Sequence, residues 1–243
     1  MSAQQHPRRH NQSFLATAEQ WLIRQILPRI PASVTSLHLT AIGLAGSLIA
    51  SLALIACNHS HVWVVFVVVG VAMNWFGDSL DGSLARYRQE ERPRFGFLVD
   101  HTCDLFSQIL VIVAFGLSPF LSLVSALTIL LCYLLFSAYT YIRAAAHHIH
   151  QMAYVGVGAT EFRILMIVWA VAGVMFNLHE PLVHGISTLD LVILILAAFS
   201  VIGLGVKAIS DAREVAIQEG ATPFRLEESE LPADAPAPAQ VEA

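Results

Sequence analysis

Eight residues between positions 78 and 104 have the types and the spacing from which a reaction can be read. They are Asp78, Asp81, Gly82, Ala85 and Arg86, then Gly96, Asp100 and Asp104. They lie in strongly apolar segments, where an ionisable side chain is costly and marks a functional site by default. On a helix the first five follow the i, i+3, i+4, i+7, i+8 rule, and Asp100 and Asp104 are an i, i+4 pair, so two helices can present them to one pocket. Four carboxylates crowded into a poorly hydrated site cannot all stay ionised without compensating charge. Hard oxygen donors favour Mg2+ or Mn2+ over zinc, and two such ions would balance four carboxylates. A pair of divalent ions can clamp a pyrophosphate and stabilise both the attacking and the leaving oxygen of a displacement. Gly82 and Ala85 leave room for a bulky ligand beside the helix, and Arg86 can offer forked donors to phosphate. The spacing therefore points to metal-dependent phosphotransfer.

The elements that must position these residues are membrane helices. Of 243 residues, 56% are hydrophobic and 13% charged, with a mean hydropathy of +0.65, which exceeds ordinary globular composition. The net charge of −5 sits largely in the motif and in the segment after Glu219, and nothing suggests nucleic-acid binding. Cys57, Cys103 and Cys132 show neither CxxC spacing nor a disulfide framework and read as packing residues. Residues 1–12 are polar and expected to be mobile, without the apolar core of a signal peptide. From Ser13 to Leu27, Phe14, Leu15, Ala18, Trp21, Leu22 and Ile26 recur at helical spacing opposite Thr17, Gln20 and Arg24, as in an amphipathic helix lying in the membrane interface. Pro28 and Pro31 end it, which sets an interfacial unit at 13–30.

Six apolar runs follow, near Ser36–Ala56, Val62–Arg86, Phe97–Leu117, Leu121–Ile142, Glu161–Phe176 and Leu189–Ile209. Each approaches the ~20 residues that cross the hydrocarbon as a helix. The expected fold is thus an all-α integral membrane protein with six transmembrane helices over 31–212 and a largely disordered cytoplasmic tail over 213–243, where Glu, Pro and Ala dominate. All thirteen basic residues fall on one expected side: Arg8, Arg9, Arg24, Arg29, Arg86, Arg88, Arg92, Arg94, Arg143, Arg163, Lys207, Arg213 and Arg225. The loops around Asn58–His61, Ser118–Phe120 and Asn177–Thr188 have none, so the positive-inside rule makes both termini and the motif cytoplasmic.

The pattern D-x2-D-G-x2-A-R-x9-G-x3-D-x3-D, complete in this chain, resembles the motif of the CDP-alcohol phosphotransferase family. With the six-span plan and the interfacial helix, the resemblance covers most of the chain before the tail. It implies transfer of a phospho-alcohol group from a CDP-alcohol donor to an acceptor hydroxyl with release of CMP, in phospholipid synthesis, by a homodimer. It also implies that Asp78, Asp81, Asp100 and Asp104 hold the metal ions and that Asp104 is the candidate base for the acceptor hydroxyl. Gly82, Ala85 and Arg86 would contact the cytidine nucleotide, and Gly96 would permit close approach at the start of the third span. The chain departs from the family's Ile-Thr-Pro-Asn-x-Leu-Thr lead into the first span, having Val34-Thr35-Ser36-Leu37-His38-Leu39-Thr40 instead. His101, and Gly158-Ala-Thr-Glu161-Phe-Arg163, look more like the amino-alcohol branch than the glycerophosphate branch. The motif serves CDP-diacylglycerol with a polar acceptor and CDP-choline or CDP-ethanolamine with diacylglycerol alike.

Rival readings attach to the same residues. A membrane prenyltransferase also binds pyrophosphate through metal-bound aspartates, but on two separated DxxxD-like clusters. A divalent-cation transporter would place its carboxylates near mid-membrane with a path to both faces. Arg86 could be a simple inside-facing anchor at a helix end. Arg94, Arg143, Glu161 and Arg163 are the candidate acceptor-binding residues, with topogenic charge and helix-end stabilisation as the plainer account of the last two. His147, His148 and His150 lack ligand partners at local spacing and read as a solvated loop. Gly43, Gly46, Gly203 and Gly205 read as points of close helix packing.

Overall fold

The computed structural model describes residues 15–147, 159–176 and 187–218. All regular structure among them is helical: α1 (Ala16–Ile26), α2 (Ser36–Ala56), α3 (Val64–Tyr87), α4 (Pro93–Gly116), α5 (Leu123–His147), α6 (Ala159–Phe176) and α7 (Thr188–Gln218), with short 3-10 turns at Leu27–Arg29 and His61–Trp63. The N-terminal segment 1–12, His148 and His150, Gly158, most of the loop near 177–188 and the tail from Glu219 lie outside the described residues.

Among the described residues, five helices are long and apolar enough to cross a membrane: Ser36–Ala56, His61–Tyr87 (with its preceding turn), Pro93–Gly116, Leu123–Arg143 and Thr188–Ile217. α6, the fifth expected span, is not among them. Its 18 residues rise about 27 Å at 1.5 Å per residue, against a hydrocarbon core of about 30 Å. Large apolar side chains such as Leu131, Phe106 and Val65 stand exposed on these helices, as residues facing lipid do.

α2 starts where its sequence provides a cap. The Thr35 hydroxyl accepts from the backbone N–H of His38, and the Thr35 N–H donates to His38 Nδ1. His38 thus closes a capping box in the place usually taken by Glu or Gln, so a lead-in without Pro or Asn still defines the helix start. α2 and α3 then pack backbone to backbone. A Cβ built on Gly46 would lie 2.6 Å from the Gly70 carbonyl oxygen, and one on Gly77 would lie 2.3 Å from the Gly43 nitrogen and 2.4 Å from the Leu39 oxygen. Within their own unit, nothing described lies within 4 Å of such an atom at Gly203 or Gly205.

Two apolar clusters flank this seam. One joins Ala50, Leu54, Val67, Val111, Phe115 and Ala170; the other joins Leu27, Leu39, Leu80 and Leu84, with Ile23, Ile26 and Phe76 packed against it. The side of α1 that meets the second cluster is therefore the Ala16, Ile23, Ile26 and Leu27 stripe, whereas Trp21 is 63% exposed and Leu22 is exposed as well. The single apolar face read from the sequence is divided between protein and surroundings, because α1 has a bundle beneath it.

Pro93 occupies the first turn of α4, where its missing N–H costs nothing. Arg88, just past α3, donates to the carbonyls of Ile30, Pro31 and Val34 and so fastens the α3–α4 loop to the segment leading into α2. α6 meets the α4–α5 turn through Trp169 Nε1–H, which donates to the Phe120 carbonyl at 2.9 Å. The chain divides into two compact units, Met1–Ala198 and Phe199–Ala243. Within the second, the helix continues to Gln218, past the expected start of the tail at 213, and Lys207 pairs with Asp211 one turn on.

Candidate active site

Asp78 stands on α3 and Asp100 and Asp104 stand one turn apart on α4. One carboxylate oxygen from each lies within 4.8 Å of the others, and all three residues are partly buried. A hard divalent cation takes oxygen donors of this kind, so the residues present fit Mg2+ or Mn2+. Asp81, the fourth expected ligand, does not join the three. It is 5% exposed, accepts from the Thr40 hydroxyl of α2 at 2.7 Å and takes the N–H of Gly82 at 2.5 Å. A buried carboxylate needs such donors, and Thr40 supplies one from across the glycine seam.

A basic side chain of α6 meets the cluster directly. Arg163, on α6 and only 4% exposed, donates from Nη2 to Asp78 Oδ2 at 2.6 Å and from Nε to Asn74 Oδ1 at 2.7 Å. Asn74 lies one turn before Asp78. Its amide nitrogen donates to the Gly43 carbonyl at 3.2 Å and to the Ser47 hydroxyl at 2.9 Å, which fixes which way the amide points. Keeping all three carboxylates ionised in this setting calls for positive charge beyond the Arg163 pairing with Asp78.

Arg86 is exposed at the end of α3, where its Nη2 donates to the Ser83 hydroxyl at 3.1 Å. Its guanidinium lies beside Gly82, 3.4 Å from where a Cβ would stand, an ordinary van der Waals distance. Ala85 is half-buried on the same helix, and Gly96 is exposed with open space around it. On the α4 side, the ring of His101 packs between Phe97, with centroids 4.0 Å apart, and Tyr141 at 5.5 Å. Its Nδ1 comes within 3.4 Å of Asp100 Oδ2.

Of the four candidate acceptor-binding residues, the structure brings Arg163 to the carboxylates. Glu161 instead accepts the backbone N–H of Leu15 at 2.9 Å, Arg94 is exposed at the start of α4, and Arg143 is half-buried near the end of α5. Thr40, Asn74 and Glu19 were not singled out in the sequence. Asn74 is a lone amide one turn ahead of the first Asp in an apolar run, and Glu19 is an acid on the stripe of Ala16 and Ile23. Those two placements were the available signals.

Among the described residues, helices of membrane-spanning length carry a carboxylate cluster shared by two of them. The family model for CDP-alcohol phosphatidyltransferase matches residues 30–209. The chain belongs to that family, which places it among the phosphotransferases of phospholipid synthesis. No match was found among curated proteins. The matched segment runs from just before α2 into α7 and leaves α1 outside it.

Proposed function

We propose that the protein transfers a phospho-alcohol group, such as phosphatidyl, from a CDP-alcohol donor to an acceptor hydroxyl and releases CMP. The observation that carries this reading is the meeting of Asp78, Asp100 and Asp104 within 4.8 Å from two helices, in a chain of this family. These three residues, with Asp81 beside them, would hold Mg2+ or Mn2+, most simply as two ions. Bound there, the ions supply charge neutralisation for the pyrophosphate and the departing CMP.

The remaining work falls to the chain. Asp104 accepts the proton of the acceptor hydroxyl. Arg86, lying over Gly82 with Ala85 beside it, offers forked donors to the nucleotide phosphate. Gly96 leaves the start of α4 open to a bulky donor. Arg163 keeps Asp78 oriented and, with Arg94, Arg143 and Glu161, forms the acceptor side. This division of roles favours the transferase over a cation transporter, whose carboxylates need no nucleotide-facing arginine.

In the membrane, α6 joins the five longer helices as a sixth span. Its support is that Arg163 meets Asp78 while Trp169 bonds to the turn between α4 and α5 at the other end of those helices. α1 rests in the interface with Trp21 outward. Both termini and the site face the cytoplasm, on the argument from basic residues, and homodimeric assembly follows from the family resemblance.

The test is CMP release by purified protein from a panel of CDP-alcohols and acceptors with Mg2+ or Mn2+. Turnover is expected with at least one pair, lost on chelation and restored by either ion; release from no pair would sink the reading. Asp104→Asn is expected to lower turnover by about 10^2- to 10^4-fold, the range for a general base, while donor binding measured by titration survives.

A further inference from the structure

Glu19 occupies a position that its surroundings make costly unless it is well bonded. It lies on the side of α1 that carries buried Ala16 and the packed Ile23 and Ile26, so its carboxylate is directed at the bundle. A carboxylate only accepts, and turning it away from water requires donors. Oε1 alone has three: Trp75 Nε1–H at 3.0 Å, the Ser79 hydroxyl at 2.7 Å and the Thr160 hydroxyl at 3.0 Å. Bonds of this kind to a charged acceptor are the stronger class.

Each donor lies within one helical turn of a residue of the site. Ser79 follows Asp78, Trp75 follows Asn74, and Thr160 lies three positions before Arg163. A return bond runs the other way, from the Leu15 N–H to Glu161 of α6. The start of α1 is therefore tied to both helices whose side chains form the Arg163–Asp78 pair. α1 also lies outside the segment, residues 30–209, that the family model matches.

We infer that Glu19 is a positioning residue which, from α1, clamps α3 to α6 and thereby sets the Arg163–Asp78 contact that aims the Asp78 carboxylate at Asp100 and Asp104. The inference rests on the proposed metal-binding reading of that cluster.

The experiment measures Mn2+ binding by full-length protein in detergent without substrate, from the decline of the free-ion electron paramagnetic resonance signal, with thermal unfolding of each variant alongside. Glu19→Gln is expected to weaken Mn2+ binding about 10-fold, as loss of an outer partner of a metal ligand does. In the Arg163→Gln background the same change is expected to add little, because both act on one contact. Ser79→Ala and Thr160→Val each remove a single donor and are expected to weaken binding about 3-fold, the scale of one hydrogen bond; they carry the test if Glu19→Gln does not fold. Unchanged binding in these variants, or losses that multiply in full in the double variant, would overturn the role of Glu19 while leaving the metal site standing. Wild-type protein that binds no Mn2+ would overturn the metal reading and this inference with it.

Discussion

Arg163 meets two acceptors through two different nitrogens, Nε to Asn74 and Nη2 to Asp78, a geometry that a planar fork provides and a single ammonium does not. Charge alone is therefore not the property that the position requires. Arg163→Lys is expected to lower kcat/KM for CMP release by at least about 10-fold, since one of two charge-assisted bonds in a buried setting is lost. Arg163→Gln is expected to lose more, and steady-state kinetics with any competent donor checks both; a lysine variant equal to wild type would show that Arg163 serves only as charge. The carboxylates were legible in the sequence because their spacing is local: helix geometry alone puts Asp100 and Asp104 on one face. Thr40, which bonds to Asp81, and Asn74, which bonds to Arg163, were not, since each contact spans 41 or more positions and depends on which helices become neighbours. Arg163 was legible as one of four candidate acceptor-binding residues, while its pairing with Asp78 was not, since that contact joins α6 to α3.

At the scale of elements, the contact between α2 and α3 decides where the motif helix lies. Backbone atoms stand where side chains would be at Gly46, Gly70 and Gly77, and backbone cannot swing aside as a flexible side chain can. Gly77→Ala is accordingly expected to destabilise the protein by about 1–3 kcal/mol or more, the cost of overpacking, and to reduce turnover, because Asp78 is the next residue. Gly203→Ala, with nothing of its own unit within 4 Å, is expected to leave the unfolding temperature nearly unchanged or to raise it slightly through helix propensity. Thermal unfolding of both variants in one detergent decides it; equal effects would mean that the seam yields. Gly43 and Gly46, expected from the sequence at points of close helix packing, stand in this seam. The α2 boundaries, Ser36–Ala56, agree in sequence and structure, since the cap at Thr35 is local chemistry. α1 has apolar residues on two sides, and which of them meets the bundle shows only in packing: Ile23 and Ile26 join the cluster of Leu27, Leu39 and Leu80, while Trp21 and Leu22 stay exposed.

For the whole molecule, the number of crossings fixes on which side the chain ends, and α6 is the helix on which the number turns. α5 brings the chain to Arg143 on the proposed cytoplasmic side, the side of the motif. If α6 crosses, α7 starts outside and returns Lys207 and Arg213 to the cytoplasm, in keeping with the positive-inside rule. If α6 stayed within one leaflet, α7 would carry those two cations across the membrane. The contacts of α6 favour crossing: Arg163 meets Asp78 near one end, and ten residues later a Cβ on Gly173 would touch the ring of Phe120, in the turn at the far end of α4 and α5. Ten residues of helix rise about 15 Å, half of the hydrocarbon thickness of about 30 Å, within a helix of 18 residues. Single cysteines at the exposed positions His59, Glu90 and Glu214, in a background with Cys57, Cys103 and Cys132 replaced by alanine, report this with a membrane-impermeant maleimide. His59→Cys is expected to react in intact cells, and Glu90→Cys and Glu214→Cys only after permeabilisation. Reaction of Glu214→Cys in intact cells, with Glu90→Cys still protected, would mean five crossings and would place the end of α7 opposite the carboxylates.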